Sequence, residues 1–257
     1  MGAAMLEGWL KLGLDPKRVT CIDPGLKDEP RDELADKGLT IVASAADLSP
    51  PQALVLAIKP QMLDAAAAGL GGIVGPRTLV ISILAGKTIA DLKARLPKAG
   101  AIVRAMPNTP AAVGRGITAA VANPAVSADQ RAMADALLKA IGRVEWLDDE
   151  GLIDAVTAVS GSGPAYVFHL VEAMAAAGAK AGLPTDLAMR LARATVEGAG
   201  ELMFQSPLPP STLRENVTSP AGTTAAALKV LMDDKGLTAL MTEAIAAAKR
   251  RAEELSG

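Results

Sequence analysis

Two runs, "ALVLAIKP" at 53–60 and "TLVISILAG" at 78–86, constrain this chain more than anything else in it. Each is apolar at successive positions rather than alternate ones. A strand with one wet face alternates, whereas a continuous apolar run belongs to a strand buried on both sides, as in a parallel sheet between helix layers. Each run ends in a sharp stop, Lys59-Pro60 and Ala85-Gly86. Helical patterns lie around and between them: "GAAMLEGWLKLG" ending at Gly13, "DELADKG" ending at Gly38, a stretch over about 61–70, and "TIADLKARL" with Thr88 as its cap. Residues 127–141 form another, with Ser127 as N-cap and Gln130 at the capping-box position. "RVTCID", "TIVAS", "AIVRAMPNTP", "ITAAVAN" and "RVEWL" read as further strands. Strands alternating with helices predict an α/β, doubly wound, Rossmann-like domain over residues 1–148.

The pattern changes at residue 149. No convincing strand follows. Ala-rich helical patterns run over 151–181, 185–204, 223–233 and about 238–255, with "LPPST" at 208–212 as a loop. Residues 149–257 are therefore expected to be an all-α domain. Half of the chain is apolar but only 2% is aromatic, so its helices carry small side chains that allow close packing. Many of these helix positions are apolar on more than one face, which predicts a homodimer or higher homo-oligomer through this half. The segment 155–179 is long enough to raise the question of a membrane span. "SGSGP" interrupts it, and His169 and Glu172 lie in its second half, so it reads as a buried helix with Tyr166 and Phe168 in the core.

Charge and cysteine usage exclude several function classes. The net charge is −2 with no basic stripe and few aromatics to stack on bases, which argues against nucleic-acid binding. Cys21 and His169 each stand alone, so neither a disulfide, a Cys-rich zinc site nor a His-pair metal motif can be built, and no metal is expected. With no signal-peptide pattern, a reducing, cytoplasmic setting fits.

A dinucleotide-binding turn needs three glycines between the first strand and first helix: one for the turn, one for approach to the pyrophosphate, one for helix–strand packing. Gly2 can be the third. Asp23 ends the next strand, where an acidic residue accepts from the ribose hydroxyls. A carboxylate there repels a 2′-phosphate and leans towards NADH over NADPH; the alternative is an Asp that only shapes the turn before Pro24. Ligands of such sheets collect outside the carboxyl ends of the strands, here 57–60, 85–86 and 106–110. Lys59 by itself reads more readily as a surface lysine than as a contact.

The stretch "LRENVTSPAGTTAAALKVL" (213–231), with "LIDAVTAVSGSGPAYVF" (152–168), "AIKPQ" and "MPNTP", resembles pyrroline-5-carboxylate reductase over the whole chain. The resemblance implies a Rossmann domain joined to a helical dimerisation domain, with the active site where the two meet across a dimer. It implies hydride transfer from NADPH or NADH to the C=N bond of L-1-pyrroline-5-carboxylate, the last step of proline synthesis. By position, it makes Ser44, Ala57, Ile58, Lys59 and Ala85 cofactor neighbours, beside Gly2 and Asp23, and puts Asn108 near the nicotinamide. It makes Glu150, Asn216, Ser219, Gly222, Thr223 and Thr224 the substrate site.

The chemistry of the last loop agrees. "TSPAGTT" puts Pro220, Ala221 and Gly222 in a turn just before a helix, whose first N–H groups and dipole suit an anion. The substrate carries one carboxylate, and hydroxyls of Ser219, Thr223 and Thr224 can add hydrogen bonds. The alternative makes Thr223 simply the N-cap of that helix. Thr224 is the catalytic candidate: its hydroxyl can hold the ring nitrogen and relay its proton, with no strong general acid required. His169 reads as structural. "SGSGP" admits either close helix packing or approach of the cofactor ring. A β-hydroxyacid dehydrogenase would need a catalytic lysine in the helical half, where Lys180 sits at a helix end.

One feature departs from the family. Its first strand and first two fingerprint glycines would precede Gly2, and this chain begins at Met1. Either the start is assigned too late or the strand is lacking. For the chain as given, weak cofactor affinity and an unstable or rearranged first domain are expected, because a central strand would be missing. The rival functions are a non-catalytic dimeric scaffold with an incomplete cofactor site, and a reductase of another small cyclic imino acid.

Overall fold

A computed structural model describes residues 1–256 of the chain. Helix α1 (Gly2–Lys11) ends just before Gly13, which turns left-handed at φ 87°. Strand β1 (Thr20–Ile22), helix α2 (Asp28–Asp36) and strand β2 (Thr40–Val42) follow. Then come β3 (Ala53–Leu56), α3 (Leu63–Leu70), β4 (Leu79–Ser82), α4 (Ile89–Arg95) and β5 (Ala101–Met106). The α/β portion closes with β6 (Gly116–Ala122), α5 (Ala128–Lys139) and β7 (Gly142–Trp146). Thr88 caps α4 and Ser127 caps α5, each in a complete capping box, with Asp91 and Gln130 reaching back to the cap's N–H.

Strands β3 to β7 form one sheet in that order. The run at 78–86 holds β4, which like β5 is buried at every position. The run at 53–60 holds β3, which lies at the edge of this sheet and is fully buried only at Leu54 and Leu56. The expectation of a doubly buried strand thus holds for the second run and not for the first. On one face Leu54, Leu56, Val80 and Ile102 pack with Leu63, Ala67 and Leu70 of α3 and Leu92 and Leu96 of α4. On the other face Leu79, Ile81, Ala101 and Val103 pack with Met5 of α1 and Ala134 and Leu138 of α5. These are the two helix layers of a doubly wound domain.

The sheet differs from the expected parallel one in two respects. Strand β6 runs antiparallel to β5. The linking stretch 107–115 contains only a short 3₁₀ turn, Thr109–Val113. A parallel return needs a crossover of a dozen or more residues, so the chain doubles back instead. The second difference is that β1 and β2 pair only with each other, in parallel. Among the described residues no ladder joins β1 to β3, although Ile22 of β1 packs against the core that holds Leu54 and Leu56 of β3.

The rest of the chain is helical: α6 (Ile153–Val156), a π-helical turn at Thr157–Gly161, α7 (Gly163–Lys180), α8 (Thr185–Gln205), α9 (Pro210–Asn216), α10 (Thr223–Leu231) and α11 (Leu237–Ser256). The single helix expected over 151–181 is thus broken. Pro164 lacks an N–H and is accommodated in the first turn of a new helix. The loop expected at 208–212 instead starts α9, with Pro210 at its first position, where a proline costs nothing.

By packing the chain divides into two units, one of Met1–Gly161 with the chain from Lys249 onward, the other Ser162–Ala248. Within the second unit α7 and α8 approach closely: a Cβ on Gly178 would lie 3.3 Å from the Cβ of Ala188. Few of its side chains are buried, chiefly Ala175, Ala188 and Ala192. Phe168 was expected in the core; it is 64% exposed, together with Leu191, Leu202, Met203 and Leu231. The helices of one chain are too few to cover all their apolar faces. No helix among the described residues is long and apolar enough to cross a membrane.

Candidate active site

The residues expected around the cofactor gather at strand ends of the first unit. Gly2 opens α1 against the residue after β3: a Cβ on Gly2 would stand 3.2 Å from the Cβ of Ala57. Any larger residue at either position would push the helix off the strand end. No side chain caps the start of α1, so its first N–H groups remain open. This small, polar-backbone corner suits a phosphate-bearing cofactor.

Asp23 follows β1 and is exposed. Its Oδ1 accepts from the Gly25 N–H at 2.9 Å, so the turn-shaping role is realised, and one oxygen suffices for it. Burial pushes the Cys21 thiol up from its ordinary pKa, and the Asp23 carboxylate adds to this. Ser44 Oγ accepts from Ala46 N–H in a turn after β2. Lys59 is exposed and its side chain makes no capping bond to the 3₁₀ turn Pro60–Met62. Ile58 packs against the core, and Ala85 is exposed after β4. Asn108, after β5, uses Oδ1 to accept from Ile117 N–H at 3.0 Å, which ties the β5 corner to β6.

Glu150, expected at the substrate, makes two hydrogen bonds within the chain. Its Oε1 accepts from Arg104 Nη1 at 2.9 Å and from the backbone N–H of Ile89 at 2.8 Å. Arg104 lies mid-strand in β5 and is 3% exposed. The sequence reading missed it, and the signal was available: a lone charge inside the apolar run "AIVRAM" needs a buried partner.

The other expected substrate residues, Asn216 and 219–224, belong to the second unit. Asn216 ends α9; Thr218 Oγ donates back to the Arg214 carbonyl at 2.6 Å. Gly222 N–H donates to the Ser219 carbonyl, closing the turn, and Ala221 takes φ 59°. Gly222 is the N-cap of α10 and Thr223 is the first helical residue, so the reading of Thr223 as that helix's cap does not hold. No side chain caps α10. Its first N–H groups are therefore open to a ligand, ringed by Ser219, Thr223 and Thr224. The start of α4 is the opposite case: Thr88 and Glu150 already accept from Asp91 and Ile89 N–H.

Comparison with known proteins agrees with this geometry. Residues 150–255 match the family model described as pyrroline-5-carboxylate reductase dimerisation. The chain is 42% identical to the pyrroline-5-carboxylate reductase of Pseudomonas aeruginosa, covering 100% of this chain and 93% of that one. It is 48% identical to the Synechocystis enzyme, over 82% of this chain and 77% of that one. The structure of a Coxiella burnetii pyrroline-5-carboxylate reductase superposes with a TM-score of 0.90 at 35% identity, covering 100% and 95% of the two chains. That of Plasmodium falciparum pyrroline carboxylate reductase with NADP bound gives 0.81 at 27%, with the same coverage. With an open helix start ringed by hydroxyls in one unit and small strand ends in the other, the chain belongs to the pyrroline-5-carboxylate reductase family.

Proposed function

We infer that this protein reduces L-1-pyrroline-5-carboxylate to L-proline with hydride from NADPH or NADH, the last step of proline biosynthesis. The observation that carries this reading is the uncapped start of α10 behind the Ser219–Gly222 turn. A carboxylate seated there meets backbone N–H groups and the positive end of the helix dipole without needing an arginine. Seating the carboxylate fixes the ring. The Thr224 hydroxyl then holds the ring nitrogen and relays a proton to it from water, unless the imine arrives already protonated. A protonated imine is the better hydride acceptor, so positioning supplies most of the rate.

On the cofactor side the chain's residues fit a dinucleotide. The Gly2–Ala57 contact leaves no side chain between the start of α1 and the end of β3, and Ala85 keeps the next strand end low. When bound, the reduced nicotinamide supplies the hydride. Gly2, Ser44, Ala57, Ile58, Lys59 and Ala85 would hold the cofactor, with Asn108 shaping the corner near its ring and Asp23 facing the ribose. The family's dimerisation domain and the exposed apolar faces of α7 and α8 support a homodimer as the working form. A cytoplasmic setting completes the reading.

The test is an assay of NADH- and NADPH-dependent reduction of L-1-pyrroline-5-carboxylate, beside direct cofactor titration. Turnover that is lost in Thr224→Val with cofactor affinity intact supports the reading. Tight dimerisation with neither cofactor binding nor turnover would instead make the chain a non-catalytic scaffold.

A further inference from the structure

The Glu150 carboxylate lies inside the first unit, on the sheet face where Met106, Ala119, Val121 and Ile153 form a small separate core. Arg104 points into this face and is the one arginine buried there. Its Nη1 is bonded to Glu150; its Nη2 makes no hydrogen bond and lies 3.8 Å from the Asp154 carboxylate. A buried cation with two acids would normally be a local matter. Here the same Glu150 oxygen that holds Arg104 also accepts from Ile89 N–H, the first amide of α4. Glu150 thereby links the middle of β5 to the loop leaving β4.

That loop, Ile83–Thr88, is braced at other points too. Leu84 N–H donates to Ser82 Oγ, and the Thr88–Asp91 box closes its far end. Gly86 sits at φ 69° with the Leu255 carbonyl so near that an added Cβ would be 2.7 Å from its oxygen. A loop at the carboxyl end of a parallel strand is where a dinucleotide lies in such sheets. A loop left to itself would be mobile there; this one is fixed from two sides by groups contributed after residue 149.

We propose that the Arg104–Glu150 pair is a positioning element for the cofactor: it sets the height of the β4–α4 loop through Ile89. The proposal rests on the reading that the first unit binds NAD(P)H. Its chemistry requires an acceptor at Glu150 rather than a charge. Glu150→Met removes the acceptor at similar reach, and Glu150→Gln keeps an oxygen for Ile89 N–H.

The experiment uses the full chain. Hydrogen exchange of the ligand-free protein reads the loop, and NADH titration by fluorescence reads the consequence. In Glu150→Met, exchange at 84–92 accelerates and NADH dissociates roughly tenfold more readily, as a sub-ångström loop shift predicts. Glu150→Gln recovers most of both effects. If Glu150→Met does not fold, Arg104→Met with Glu150→Met removes both charges together and is read the same way. A raised KM for the imino acid with unchanged NADH affinity overturns the proposal in favour of substrate contact. A fall in melting temperature with unchanged loop exchange and NADH affinity also overturns it, leaving the pair purely structural. Failure of the wild-type chain to bind NADH is a separate result, and refutes the functional reading while the exchange data still judge the brace.

Discussion

Gly86 and Leu255 are in backbone contact across the β4–α4 loop: a Cβ on Gly86 would lie 2.7 Å from the Leu255 carbonyl oxygen, and Gly86 itself is left-handed at φ 69°. Gly86→Ala therefore meets two costs, an unfavourable backbone region and a collision with main chain that cannot rotate away. The expected loss is about 1–3 kcal/mol of stability, by thermal or urea denaturation. An unchanged melting temperature would mean that the end of α11 does not hold this position in solution.

The Asp91 carboxylate closes the start of the same helix. Burial alone would raise its pKa, but bonds from Thr88 N–H and Oγ, with Arg95 and Lys87 nearby, outweigh it and hold the pKa below the ordinary value. A depressed carboxylate stabilises the fold above its unfolded pKa, about 3.9, and loses that contribution as pH falls through the folded value. Asp91→Ala should cost about 1 kcal/mol at pH 7. The gap between variant and parent should narrow as the pH is lowered below about 4. A gap that widens on acidification would contradict the assignment.

In the proposed cofactor site Asp23 faces the ribose and sets the cofactor preference. Its carboxylate is exposed, and only Oδ1 is used in the turn to Gly25. Asp23→Ser removes the charge and keeps a turn-forming side chain. The ratio of NADPH to NADH affinity should rise by about fivefold, the size of a solvent-screened unit-charge repulsion at close range. Paired titrations at fixed ionic strength measure it.

Ala221 holds the substrate turn at φ 59°, where a Cβ is strained. Ala221→Gly removes that strain but loosens the unfolded chain, so the net gain is at most about 1 kcal/mol. Ala221→Val should destabilise and raise the KM for the imino acid, because a β-branched residue resists this region. Steady-state kinetics of the two variants should fall on opposite sides of the parent.

Phe168 is 64% exposed on α7 in the single chain, too large an apolar surface to leave wet in a working protein. Phe168→Asp should weaken self-association by about tenfold or more if this face is at the dimer centre. Sedimentation velocity over a dilution series reads the change. A dimer that survives unaltered would move the interface to another face of the helical unit.

Part of the fold and the local shape of the candidate site are legible in the sequence. The apolar runs at 53–58 and 78–84 both predict doubly buried strands, because only helices on both faces remove every side chain from water; β4 is buried at each position, whereas β3, at the sheet edge, is buried only at alternate ones. "TSPAGTT" predicts a turn onto a helix start, and the structure adds that Gly222, not Thr223, is its cap. Local chemistry decides such features, so local sequence reveals them. The antiparallel return of β6 and the partners of Glu150 were decided by tertiary structure alone. Strand direction depends on whether a connection can reach across the sheet, and ladder pairing on which edges meet. Glu150 looks like any acid at a helix start until folding brings Arg104, 46 residues earlier in the chain, and the Ile89 amide to one of its oxygens. A buried charge seeks its counterpart through space, and that distance is set only when the sheet and helices have packed.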